Sequence, residues 1–345
     1  MVAAARLGVA LAVRTAVVVA CILAATLAVP AAARGDTYSL VVSGASGGPA
    51  YVETYESWRQ TLVDVLRSQA EFRDEHLIVL AETPAPGVGR ASREGVTEAF
   101  ETLRGRMTAD SELLVVLLGH GTYDGVEAKF NLVGPDLAAA EWSRLLDSLP
   151  GRAVFVNTTA SSFPFVEALA REERIVIAAT ASPVQRYDTV FPRFFVGALD
   201  SPAADLDKDG RVSVWEAFAS TSAQVRRWYE QEGRLATERA VLDDSGDGVG
   251  GDAERPGSDG HLASRRFVGA GVDRPAAAAD ASLAPLVARR EGLEERVAGL
   301  RSRKESMNAA EYARELEQAL VELARVSREI RQRTAAGPGA VTTGR

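Results

Sequence analysis

The chain has 345 residues, with 39 Lys+Arg against 47 Asp+Glu and a formal net charge of −8. Charged residues make up 25% and hydrophobic ones 46%, a globular composition that excludes a wholly disordered or collagen-like chain. The acidic balance argues against non-specific nucleic-acid binding, and a single cysteine excludes a disulfide framework.

Residues 1–33 read as a secretory signal peptide: Arg6 and Arg14 form a basic start, Thr15 to Val29 an apolar run, and Ala31-Ala32-Ala33 a small-residue cleavage site. A membrane anchor is the alternative, but the run is shorter than the roughly 20 residues a spanning helix needs. The reading is therefore an exported protein, periplasmic or extracellular, with no stable membrane anchor after cleavage. Cys21 lies inside the apolar run, where Val18-Val19-Ala20-Cys21 loosely resembles a lipoprotein cleavage box. Ordinary cleavage would remove it, and with it any thiol nucleophile or thiolate zinc site.

Short apolar runs then alternate with amphipathic stretches. Tyr38–Ser43, Leu77–Leu80, Leu113–Leu118, Ala153–Val156 and Ile175–Ala179 read as buried strands. Between them, Tyr51, Tyr55, Trp58, Leu62 and Val65 share one helix face, and Ser92 caps a helix with Val96, Phe100, Leu103 and Met107 inward. Asp136 is expected to cap a helix burying Trp142, Leu145, Leu146 and Leu149. Continuous apolar strands separated by helices predict an α/β fold, a mostly parallel sheet sandwiched by helices. In such sheets ligands bind outside the carboxyl ends of the strands, so the loops after Leu118 and Val156 are the ones to inspect.

This domain is drawn at 36–255. Residues 256–281 read as a Gly-, Asp-, Ala- and Arg-rich linker and 334–345 as a loose tail. Over 282–333, Leu286, Leu293, Val297 and Leu300 form one apolar stripe, interrupted by Arg290, and Leu316, Ala319, Leu323, Val326 and Ile330 a second. Asn308 and Glu311 make a capping-box pattern between them. A helical hairpin is the simplest reading, a single coiled-coil helix the alternative, and either could support an oligomer.

The loop after the strongest strand reads Gly119-His120-Gly121-Thr122-Tyr123-Asp124, and Val156 runs into Asn157-Thr158-Thr159-Ala160-Ser161-Ser162. A histidine between glycines at a strand's carboxyl end suits catalysis, although a tight turn with a solvated histidine gives the same pattern. In order and spacing, Tyr38 to Tyr229 resembles the legumain and caspase-type cysteine peptidases. Gly119-His120-Gly121 matches their Gly-His-Gly, and Thr159 stands where their cysteine would be, with Ser161 and Ser162 following. The resemblance implies a peptidase fold whose site gathers His120, Gly121, Thr159 and Ser161, but a threonine is far harder to deprotonate than a thiol. It needs a base in direct contact and a group orienting that base, and the sequence offers only Asp124 for the latter, by proximity. The expectation is a catalytically inactive homologue acting in binding or scaffolding, with a protein or peptide partner. The alternative is an active hydrolase using a Thr or Ser hydroxyl with His120.

Asp205-Leu206-Asp207-Lys208-Asp209-Gly210-Arg211-Val212-Ser213-Val214-Trp215-Glu216 fits the EF-hand calcium pattern. Asp205, Asp207 and Asp209 would supply side-chain oxygens, Arg211 its carbonyl, Ser213 a direct or water-mediated contact and Glu216 both carboxylate oxygens to Ca2+. A second acidic stretch, Asp243 to Asp247 with Glu254, reads as either a weaker site or a plain turn. His76 and His261 have no metal-ligand neighbours in sequence, and core or surface roles are expected for them.

Overall fold

The structure is a computed structural model and describes residues 36–68, 73–267 and 283–336. The expected signal peptide over 1–33, with Cys21, residues 268–281 of the expected linker and residues 337–345 of the expected tail lie outside the described residues.

Ten strands follow in chain order: β1 (Thr37–Ser43), β2 (Leu77–Ala81), β3 (Gly89–Arg90), β4 (Glu112–Leu118), β5 (Gly121–Tyr123), β6 (Ala128–Phe130), β7 (Leu137–Ala138), β8 (Arg152–Asn157), β9 (Arg174–Ala178) and β10 (Val241–Asp243). Seven make one sheet in the order β10-β9-β8-β4-β1-β2-β3, parallel except for β10, which runs antiparallel to β9. The mostly parallel α/β sheet is as the sequence implies. The small antiparallel sheet β5-β6-β7 and the edge strand β10 are additions that two- and three-residue strands do not announce.

The helices are α1 (Pro49–Ser68), α2 (Arg93–Arg106), α3 (Ala139–Asp147), α4 (Phe163–Leu169), α5 (Phe191–Ala198), α6 (Val214–Gln231), α7 (Ala284–Ser302) and α8 (Ala309–Ala336). Alternate residues of β4 feed two cores. Leu113, Val115 and Leu117 pack with α2, α3 and α4, while Leu114, Val116 and Leu118 pack with α1, α5 and α6. Six consecutive buried side chains, each contributing about 2 kcal/mol of transfer free energy, make β4 the centre of the fold. Ser92 caps α2 as expected, accepting from Gly95 N–H at 3.2 Å. Asp136 does not cap α3. The residue at that position is Ala138, and Asp136 instead accepts from Leu132 N–H at 2.9 Å, bracing the turn before β7.

The folded domain continues past residue 255. Ala263 is buried in the α5–α6 core, Val214 N–H donates to the Arg266 carbonyl at 2.7 Å, and Phe267 pairs with Ser213. The first part of the expected linker is therefore packed structure. Beyond it, α7 and α8 form an antiparallel hairpin with its own apolar cluster. The chain breaks at 303–308, where Asn308 caps α8 through Ala310 N–H, which removes the single-helix alternative. No helix among the described residues is long and apolar enough to cross a membrane.

A chain ended at residue 280 should stay soluble and melt cooperatively, because neither core of the α/β domain contains a hairpin residue. Its melting temperature should fall, since Arg211 loses its Glu294 partner. Thermal circular dichroism checks both, and loss of the cooperative transition would mean that the hairpin completes the core.

Candidate functional site

The sheet's strand order reverses between β1 and β4, the place where α/β sheets open a crevice at their carboxyl edge. β1 ends beside β4, with Gly44 N–H donating to the Leu118 carbonyl at 2.9 Å. The chain then brings Ser46 over the turn that follows β4. His120 stands in that crevice. Its Nε2 lies 3.0 Å from the Tyr55 hydroxyl and 3.0 Å from the Ser46 carbonyl. Its Nδ1 lies 3.3 Å from Asp188 Oδ1. Asp188 Oδ2 in turn accepts from the Tyr51 hydroxyl at 2.5 Å. That hydrogen bond holds the Tyr51 hydroxyl above its ordinary pKa, and burial does the same to Tyr55.

Asp188, Tyr51 and Tyr55 are the site residues that sequence reasoning missed. Asp188 sits 68 residues beyond His120, in the irregular segment before α5, and only the pairing of β8 with β9 brings it back. In the sequence the tyrosines show only as part of a helix face. Asp124, the orienter suggested by proximity, faces its own hairpin. Its carboxylate accepts from Val126 and Glu127 N–H, both at 2.9 Å, and those bonds hold its pKa low.

The turn after β8 is close to His120 but closed. A Cβ on Gly121 would lie 2.3 Å from Thr159 Oγ1 and 2.4 Å from the Ala160 carbonyl, so only glycine fits there. Thr159 is fully buried. Its hydroxyl donates to Asn157 Oδ1 at 2.8 Å, and its N–H reaches the same oxygen at 3.1 Å. Thr158 donates to the Leu117 carbonyl at 2.7 Å, and Ser162 pairs with Thr180 at 3.1 Å rather than capping α4. Ser161 is buried in the left-handed region at φ 52°, and neither its hydroxyl nor Asn157 Nδ2 has a hydrogen-bond partner among the described residues. Asn157 is itself fully buried, so the Asn157-Thr158-Thr159 triplet, which fits the N-glycosylation pattern, is inaccessible in the folded chain.

No family model matches the chain, and no curated protein does. Among solved structures it is similar to the crystal structure of protein GSU0716 from Geobacter sulfurreducens. The match has 12% sequence identity and a TM-score of 0.37, and covers 60% of this chain and 92% of that one.

The acidic loop lies at the opposite edge of the sheet. Arg266, beside Ser213 and Phe267, pairs with Glu112 at the start of β4 at 3.4 Å and with Glu173, just before β9, at 3.2 Å. Within the loop, oxygens of Asp205, Asp207 and Asp209 converge within 4.8 Å of one another, a cluster that could hold a metal ion. Gly210, at φ 93°, makes the sharp turn the loop needs. Burial raises Asp205, and burial together with Glu216 pushes Asp207 up to about 8. Glu216 does not join the cluster. Its Oε1 accepts from Leu206 N–H at 2.8 Å and Asp207 N–H at 3.0 Å, and its Oε2 from Ser213, making the capping box of α6. The Arg211 guanidinium bonds Asp209 Oδ2 at 2.7 Å.

The second acidic stretch spends its carboxylates on backbone. Asp243 accepts from Gly246 and Gly248 N–H, both at 2.8 Å, and Asp244 from Gly260 and Ala263 N–H at 2.9 and 2.7 Å. It is a structural turn and forms no further metal-ligand cluster among the described residues. His76 packs against Tyr38, with ring centroids 4.3 Å apart and the planes tilted by 34°.

Glu238 fixes the segment that carries Asp188, accepting from Val190 N–H at 2.7 Å and Phe191 N–H at 3.1 Å. Burial pushes its pKa up to about 7. A raised carboxylate binds its proton more tightly in the folded state. Its contribution to stability is fully present below the unfolded value, about 4.3, and is lost as pH rises through about 7. Urea denaturation from pH 5 to 8 should therefore show a decline that Glu238→Gln reduces, by an amount on the order of 3 kcal/mol. Equal slopes in both proteins would contradict this assignment.

Proposed function

We propose that this is an exported, calcium-binding, peptidase-like protein that has lost peptidase catalysis and acts by binding a protein or peptide partner. The observation that carries the reading is the state of Thr159: buried, with hydroxyl and N–H both committed to Asn157. It occupies the position where the legumain and caspase-type resemblance would place a cysteine. His120, the matching base, has both ring nitrogens engaged by Ser46, Tyr55 and Asp188. A hydroxyl turned inward and a base turned elsewhere do not make a nucleophile–base pair. The Thr159 N–H, which could have donated to an oxyanion, is committed to Asn157 as well.

The loop Asp205–Glu216 supports a calcium role by its chemistry. Three carboxylates are all-oxygen, hard donors suited to Ca2+, and the Arg211 carbonyl, Ser213 and Glu216 follow at the remaining pattern positions. Glu216 would have to turn from the capping box toward the cation. A bound cation would favour the ionised form of carboxylates whose charge burial disfavours.

One observation favours a second reading, a hydrolase using a Thr or Ser hydroxyl. Asp188 behind His120 is the orienting group such a reaction requires, and Ser161 has a free hydroxyl in the neighbouring turn. The two readings separate in a peptide-library digest by the wild type beside His120→Ala and Thr159→Ala. Binding without catalysis predicts no cleavage above background. Cleavage lost on His120→Ala would establish the hydrolase.

For the loop, millimolar calcium should raise stability by about 1–3 kcal/mol, read as a higher melting temperature. Asp205→Ala should abolish the shift. A wild-type melting curve indifferent to calcium and chelator would remove the calcium assignment.

A further inference from the structure

The hairpin meets the α/β domain through charge rather than through the core. Its apolar cluster, running from Leu283 to Ile330, includes no residue of the domain, and neither domain cluster includes a residue of the hairpin. What joins them gathers at Asp209. The Arg211 guanidinium that binds Asp209 also donates to Glu294 Oε1 on α7 at 2.5 Å. Arg290 Nε lies 3.4 Å from the same Glu294 oxygen. From α8, Arg331 Nη1 donates to the Asp209 carbonyl at 2.9 Å. The guanidinium of Arg211 is further held over the Phe267 ring, 3.8 Å from its centroid.

The result is a chain of alternating charges, Asp209, Arg211, Glu294 and Arg290, with side-chain exposures of 2%, 5%, 15% and 2%. Arg290, which breaks the apolar stripe of α7, is the far end of that chain. Buried charges tolerate the loss of a partner poorly, because the remaining charge is left without compensation. Among the described residues the apolar clusters of the domain and the hairpin share no member, so no common apolar core holds the two together once a charged contact is removed.

We propose that the C-terminal hairpin is a releasable arm, latched to the α/β domain by the Asp209–Arg211–Glu294–Arg290 chain and by Arg331, and able to separate while both halves stay folded. The arm keeps its own core when it leaves, so release exposes the charged faces at the junction and no apolar interior. The latch is a property of the charges described and does not depend on a bound cation.

The test uses the full chain and compares the wild type with Glu294→Gln, Arg331→Gln and the control Glu322→Gln, whose Arg289 partner lies on the exposed hairpin surface. Small-angle scattering reads the separation of the halves, and hydrogen exchange reads their integrity. Both latch variants should raise the radius of gyration. They should also speed exchange at Arg211 and Ser213 by about tenfold or more, the effect of removing a charged hydrogen bond, while β4 and the hairpin interior keep their protection. The control should match the wild type. Arg331→Gln leaves no buried charge unpaired and serves if Glu294→Gln does not fold. Compact variants with unchanged exchange would overturn the proposal. So would loss of protection in β4 together with the hairpin, which would make the two a single cooperative unit.

Discussion

β4 pairs along its whole length with β1 on one side and along most of it with β8 on the other, and every side chain from Leu113 to Leu118 is buried. That double parallel pairing places Gly44, Gly119 and Thr158 at one edge and fixes which loops meet. Ser46 can reach His120 only because β1 ends beside Leu118, and Thr159 can pack into the space left by Gly121 only because β8 ends beside Leu117. Without this register the histidine and the hydroxyl-rich turn would not be neighbours. With it they are neighbours held apart by their own hydrogen bonds.

The chemistry at the two edges differs in kind. At the carboxyl edge the polar groups are mostly satisfied internally: Asn157 takes Thr159, Leu117 takes Thr158, and Ser162 takes Thr180. Preorganised sites usually keep donors open for a ligand. Here, among the described residues, Ser161 Oγ and Asn157 Nδ2 have no hydrogen-bond partner, but both are buried, in a turn strained at Ser161. At the amino edge, acidic groups are partly buried and crowded, and their raised pKa values come first from burial and then from the neighbouring carboxylates. Arginines from the loop and the hairpin offset part of it, which ties the hairpin to the loop.

Much of this was legible in the chain. Apolar strands spaced by amphipathic helices gave the parallel sheet because burial on both faces leaves little room for polar alternation. The Asp-x-Asp-x-Asp-Gly pattern gave the convergent carboxylates because the ligands are local in sequence. What was hidden was long-range. Asp188 and Tyr51 reach His120 from distant elements, and no local pattern encodes that meeting. Glu216 fits two motifs at the same spacing, a calcium ligand and a capping-box residue, and the structure shows the second. Arg290 reads as a flaw in a helical stripe until Glu294 and Arg211 are seen around it. Asp136, a plausible cap by residue type, is displaced because β7 occupies the positions before α3.

The central claim is that His120 and the Thr159 hydroxyl do not form a catalytic pair. A crystal structure of residues 34–345 with calcium, at a resolution that shows hydroxyl protons, tests it most directly. The predicted result is the Thr159 proton directed at Asn157 Oδ1 and the His120 ring held between Asp188 and Ser46. A His120 nitrogen hydrogen-bonded to the hydroxyl of Thr159 or Ser161 would contradict it.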